Sequence, residues 1–117
     1  MTNGSVPFKQ VAIDASEIRD WPSFHAVFAK AFGFPDFYGR NMDAWIDSMT
    51  DLDDPSAGMS KVHSPPDGIV LVKVLNAKAF SKRCPEQYRA LNDCSAFVNW
   101  RRLEQGSAPV LALSYHE

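Results

Sequence analysis

A chain of 117 residues, 45% hydrophobic and 22% charged, can build one compact core but not two, because smaller cores cannot offset chain entropy; these proportions also exclude a disordered chain. No apolar run reaches the 18 or so residues that cross a bilayer, and the N-terminus MTNGSVPFKQ lacks the basic-then-apolar order of a secretory leader, so a cytoplasmic protein with no membrane association is expected. The net charge of -2 is unevenly spread: residues 36–54 hold Asp36, Asp43, Asp47, Asp51, Asp53 and Asp54 against Arg40 alone, which disfavours nucleic acid as direct ligand, since phosphates need Lys and Arg, and predicts a basic protein partner.

Residues 1–7, small, polar and without periodicity, read as a loose tail ahead of a single domain over 8–117. Phe8 to Ile13 reads as a first strand. Asp20 can cap a helix starting near Trp21, where Pro22 removes an amide that has no intrahelical acceptor. Phe24, Val27, Phe28, Ala31 and Phe32 then form one apolar stripe, which Gly33 and Pro35 end.

A second helix is predicted from an Asn41 cap to about Thr50, with Met42, Trp45, Ile46 and Met49 toward the core and Asp43, Asp47 and Asp51 in an acidic ridge on the solvent side. Residues 51–68, rich in Asp, Ser, Gly and Pro, read as a long irregular connection. Ile69 to Val74 has the continuous β-branched character of a strand buried on both faces of a parallel sheet. A short helix at Ala77–Lys82, a longer one at Pro85–Glu104 closed by Gly106, and a strand at Val110–Tyr115 follow. Strands separated by helices predict an α/β fold with a parallel sheet, right-handed crossovers and helices packed against it.

Aspartates four apart on a helix are commonly just a solvated face. Here they repeat a like-charge cost of a few tenths of a kcal/mol per pair with no Lys or Arg interleaved, which points to another use. Catalysis needs a pocket that moves two carboxyl pKa values apart, and a ridge on a convex helix supplies none. A metal-dependent phosphoesterase would need further ligands, for which only His63 lies nearby in sequence, and the Asp/His spacing matches no metal set. His25 and His116 read as packed or solvated. Cys84 and Cys94, ten apart in an expected helix, read as reduced and partly buried, since they fit neither a disulfide framework nor a zinc spacing. With no phosphate loop or nucleophile motif, no enzyme activity, cofactor or metal is expected.

The stretch Phe34–Thr50, FPDFYGRNMDAWIDSMT, contains a string from Tyr38 to Asp47 that resembles the Y-G-x-N-hydrophobic-D-A-hydrophobic-hydrophobic-D signature of the barstar family, intracellular inhibitors of the ribonuclease barnase. The similarity extends over residues 18–51, including Ile18, His25 and Pro35, and the last helix, Gly106 and the strand ending at Ser114 fit the family's C-terminal order. The resemblance implies a three-stranded parallel sheet flanked by helices. It also implies a second helix that plugs a ribonuclease active site, its carboxylates standing in for phosphates. On that pattern Asp43 and Asp47 are the main anchors, Phe37 is an aromatic contact, Gly39 and Asn41 shape the turn into the helix, and Thr50 is a smaller contact. With Tyr38 of the string and Asp51 of the ridge, these make the expected partner-binding set.

The chain departs from barstar itself in its longer loop after the second helix, which leaves Leu52 only loosely aligned with an aromatic contact, and in Arg101, which stands where the last helix would offer an acid. These departures suggest a partner other than barnase. The reading is thus an inhibitor of a ribonuclease or ribonuclease-type toxin, monomeric when free; the competing readings are a barstar-fold adaptor for another basic protein and a metal-dependent phosphoesterase.

Overall fold

A computed structural model describes residues 5–117. Strand β1 (Phe8–Asp14) leads through a 3-10 turn into helix α1 (Trp21–Phe32), helix α2 (Met42–Thr50) and a long loop, followed by β2 (Ile69–Leu75), α3 (Ala77–Arg83), α4 (Pro85–Glu104) and β3 (Leu111–Tyr115). The strands form one parallel sheet in the order β1-β2-β3, with Val11 opposite Val72 and Val72 opposite Leu113. This is the α/β, three-stranded parallel architecture expected.

Helix α1 starts and stops as its sequence requires. The Asp20 carboxylate accepts from the Ser23 amide at 2.9 Å, while the Ser23 hydroxyl accepts from the Asp20 amide at 3.0 Å, a closed capping box. Gly33 then takes the left-handed conformation, φ 67°. Phe24, Phe28 and Phe32 are fully buried, and Phe28 meets Trp45 of α2 edge to face at 5.6 Å. Burying side chains of this size contributes about 2 kcal/mol each, and α2 is further held by α4, whose Arg101 and Arg102 bond to Asp47 and to the Thr50 carbonyl.

Two expectations are corrected. Strand β2 is buried on one face only: Val70, Val72 and Val74 are inaccessible, whereas Leu71 and Lys73 are half-buried and their neighbours Gln10 and Ala12 on β1 are exposed. The helices cover one side of the sheet, so the apolar run reflects a central strand in a two-layer structure. Cys84 lies at the junction of α3 and α4, outside both helices, and Cys94 lies within α4; both are free thiols.

Of the expected tail, residues 1–4 lie outside the described residues. The Pro7 carbonyl accepts from the Ile69 amide at 3.0 Å, beside Gly68, where an added Cβ would stand 2.4 Å from that same oxygen. Only glycine lets the two backbones approach this closely. Residues 51–68 contain a 3-10 turn at Pro55–Ala57 and otherwise no regular structure. Among the described residues no helix is long and apolar enough to cross a membrane.

Candidate partner-binding site

The acidic helix is positioned from both ends. At its start the Asn41 side-chain oxygen accepts from the Ala44 amide at 2.8 Å, which satisfies an amide the helix itself cannot. At its end the backbone carbonyl of Thr50 accepts from Arg102 of α4 at 2.8 Å, placing a cation where the helix dipole is negative. Trp45 and Met49 are fully buried; Met42 and Ile46, expected beside them, are half-buried, and Ser48 and Thr50 take up the remaining inward positions.

The loop ahead of α2 turns its residues alternately in and out. Phe37 is 70% exposed, while Tyr38 is 9% exposed and packs on Phe34 at 4.7 Å between ring centres. The Tyr38 hydroxyl is hydrogen-bonded to Nδ1 of His25, itself buried in α1. Tyr38 therefore serves as an internal anchor, and offers no hydroxyl to a visitor. Thr50 is likewise turned inward, its hydroxyl donating to the Ile46 carbonyl at 2.6 Å, because its position on the helix coincides with the core side.

Burial holds the pKa of His25 below its ordinary value of 6.5, with the Arg40 charge adding to the shift. Between the folded and unfolded pKa values the unfolded chain binds more protons. Stability contributed by neutral His25 is therefore complete above about pH 6.5 and is lost as pH falls through the lower, folded value. Chemical denaturation at pH 8 and pH 5.5 should show the fall, and His25→Gln should flatten it; an unchanged slope in that variant would assign the effect elsewhere.

The turn into α2 depends on Arg40, which takes the left-handed conformation with φ 52°. Gly39, expected to shape the turn, has no positive φ, and an added Cβ would meet the Ala44 Cβ at 3.4 Å. A left-handed residue other than glycine costs about 1–2 kcal/mol. Arg40→Gly should accordingly raise the stability by about 1 kcal/mol in urea unfolding. A lower midpoint would show that the arginine side chain contributes more than its backbone costs.

The six carboxylates of this region have different fates. Asp43 is exposed and has no hydrogen-bond or ion-pair partner among the described residues. Asp47 meets Arg101 of α4 at 2.9 Å, but the two side chains remain 56% and 38% exposed; a pair this open contributes at most about 1 kcal/mol. Asp51 is half-buried at the end of α2. Its carboxyl is held above the usual range first by burial and then by Asp54, Asp53 and Asp47, with Arg101 opposing.

Asp53 forms two parallel bonds of 3.0 Å with the buried guanidinium of Arg102. Asp54 accepts from the amide and hydroxyl of Ser56, and Asp36 is exposed. The outward set is thus Phe37, Asp43 and Asp47, bordered by Asp51, Gly39 and Asn41. Arg101 and Arg102 are the residues sequence reasoning did not connect to the ridge. Adjacent basic residues in the last turn of a helix are ordinary dipole partners, and nothing in their spacing tells which acids they reach.

Asp43 and Asp47 are exposed while Asp51 is half-buried, and among the described residues no group of three or more His, Cys, Asp or Glu side chains stands close enough to hold a metal ion. His63, weighed as a ligand, is half-buried in the long loop. A family profile described as barstar, the barnase inhibitor, matches residues 8–112. No curated protein matches the chain in a direct comparison. The match spans β1, β2, all four helices, the acidic α2 among them, and the first residues of β3, and this chain belongs to the barstar family of barnase inhibitors.

Proposed function

We propose that this chain is a cytoplasmic inhibitor of a ribonuclease or ribonuclease-type toxin, and that it acts by seating α2 in the enzyme's cationic active site. The observation that supports this most is Asp43: exposed, unpaired, and on the same helix face as Asp47, so that two carboxylates can occupy positions a substrate's phosphates would take. A carboxylate meeting Arg or Lys in a preformed site makes charge-assisted hydrogen bonds, with Arg able to hold it in a fork. A complementary field also speeds encounter, an effect for which barnase with barstar is itself the type example. The chain performs no chemistry in this reading; it blocks access, and Phe37 adds apolar contact at the edge.

RNA cleavage by a panel of basic single-domain ribonucleases, barnase first, tests the proposal. One equivalent of chain should abolish cleavage by at least one member, and Asp43→Ala should restore it. If the panel is unaffected and the native partner proves basic but without nuclease activity, the adaptor reading replaces this one. The pairing of Asp47 with Arg101 favours a partner other than barnase under either reading, because the cation reduces the negative field where the family places an acid.

A further inference from the structure

Helix α4 carries an exposed aromatic pair that the fold does not use. Phe97 and Trp100 are 39% and 56% exposed and stack on each other, ring centres 5.6 Å apart and planes 29° from parallel. Leu103, 58% exposed, follows one turn on but is turned to the far side of the helix. Helical spacing locates the pair relative to the acidic ridge. At 100° per residue, positions 94, 97 and 101 form one row along α4. That row faces α2 at Arg101, which bonds to Asp47 at 2.9 Å. Phe97 therefore sits on the flank of α4 that borders the acidic ridge, and Trp100 extends the apolar surface outward from it.

We infer that the docking surface spans both helices, with Phe97 and Trp100 forming an apolar subsite for the rim of the partner's cationic cleft. The inference rests on the inhibitor reading above and adds to it the kind of partner that fits: a basic active site edged by an apolar or arginine side chain able to lie flat on an indole. Size argues for a composite surface. Phe97 and Trp100 together expose on the order of 200 Å², whereas a stable interface buries about 800 Å² on each partner. The patch is too small to hold a second copy of the chain by itself, so it serves only as part of a larger surface such as the one α2 begins. Aromatic anchors next to a charged centre, with water excluded around them, are the usual source of slow dissociation.

The probe is whichever ribonuclease of the panel the native chain binds most tightly, with rates measured by surface plasmon resonance at two salt concentrations. Trp100→Ala with Phe97→Ala should weaken binding about 30-fold, through faster dissociation and with the salt slope unchanged. Phe8→Ala, an exposed aromatic on the opposite edge strand, should have no effect. Both substituted residues are exposed, and circular dichroism confirms the fold of each variant. Unchanged affinity in the double variant, with Asp43→Ala still weak, overturns the aromatic subsite and leaves the inhibitor reading standing. Full affinity in Asp43→Ala, or no binding across the panel, removes both. A concentration-dependent dimer of the native chain, lost in the double variant, would assign the patch to self-association and overturn the inference.

Discussion

Asp43→Ala is expected to weaken the complex with the target ribonuclease by about 2–5 kcal/mol, a Kd at least 30-fold higher. This range is taken from buried charged contacts in general, barnase with barstar among them. The effect should be this large because the loss leaves the partner's cation buried and unpaired, while the free inhibitor forfeits nothing: Asp43 has no internal partner among the described residues. Asp47→Ala should cost less. In the free protein that carboxylate is already shared with Arg101, and part of what it gives the partner must first be taken from this pair. Arg101→Ala then becomes the informative counterpart. Freeing Asp47 and removing a cation from the ridge should speed association several-fold at low salt and steepen its salt dependence. Titration calorimetry with association kinetics at 50 and 200 mM salt reads all three variants; slower association of Arg101→Ala would mean that the arginine itself contacts the partner.

Arg102→Ala is expected to destabilise the fold by about 3 kcal/mol, measured by urea unfolding. One buried guanidinium donates to the carbonyls of Thr50 and Ala108 and to both carboxylate oxygens of Asp53. It thereby fastens the end of α2 to the long loop and to the segment that enters β3. Removing it leaves two carbonyls unsatisfied. The cost stays below that of a fully buried pair because Asp53 keeps about half its exposure, 49%, and can rehydrate. Arg102→Lys should recover only a small part, since a single ammonium cannot reproduce the fork.

The acid limb carries the same signature. The Arg102 side chain's hydrogen bonds hold the Asp53 pKa below its usual 3.8, so this pair's contribution is complete above that value and lost as pH falls through the depressed one. That loss should vanish in Arg102→Ala. A variant that kept both its stability and its acid profile would show the clamp to be ornamental.

Much of the architecture could be read directly from the residues. Asp20, Pro22 and Gly33 mark the ends of α1 by local chemistry, and their roles in the structure are those their side chains dictate. Asn41 caps α2 for the same reason. These features act over three or four residues, within the reach of periodicity and capping rules. What the residues alone do not show is how a position depends on a distant element. Tyr38 reads as a surface aromatic until His25, thirteen residues earlier, takes its hydroxyl. Thr50 reads as a helix-end contact until the core takes that side. The continuous apolar run of β2 cannot say whether one or two layers cover it.

By itself the sequence determined the order and type of the elements, the parallel sheet, the exposure of Asp43 and Asp47 and the family signature that contains them, because all of these follow from side-chain chemistry at short range. Only the tertiary structure decided which carboxylates are spoken for. Arg101 and Arg102 are neighbours in the chain, yet a rotation of 100° about the α4 axis leaves the Arg101 guanidinium exposed against Asp47 and buries that of Arg102 against Asp53. Side-chain pairing across 49 and 54 residues is set by how two helices pack, and helix packing is a property of the whole core.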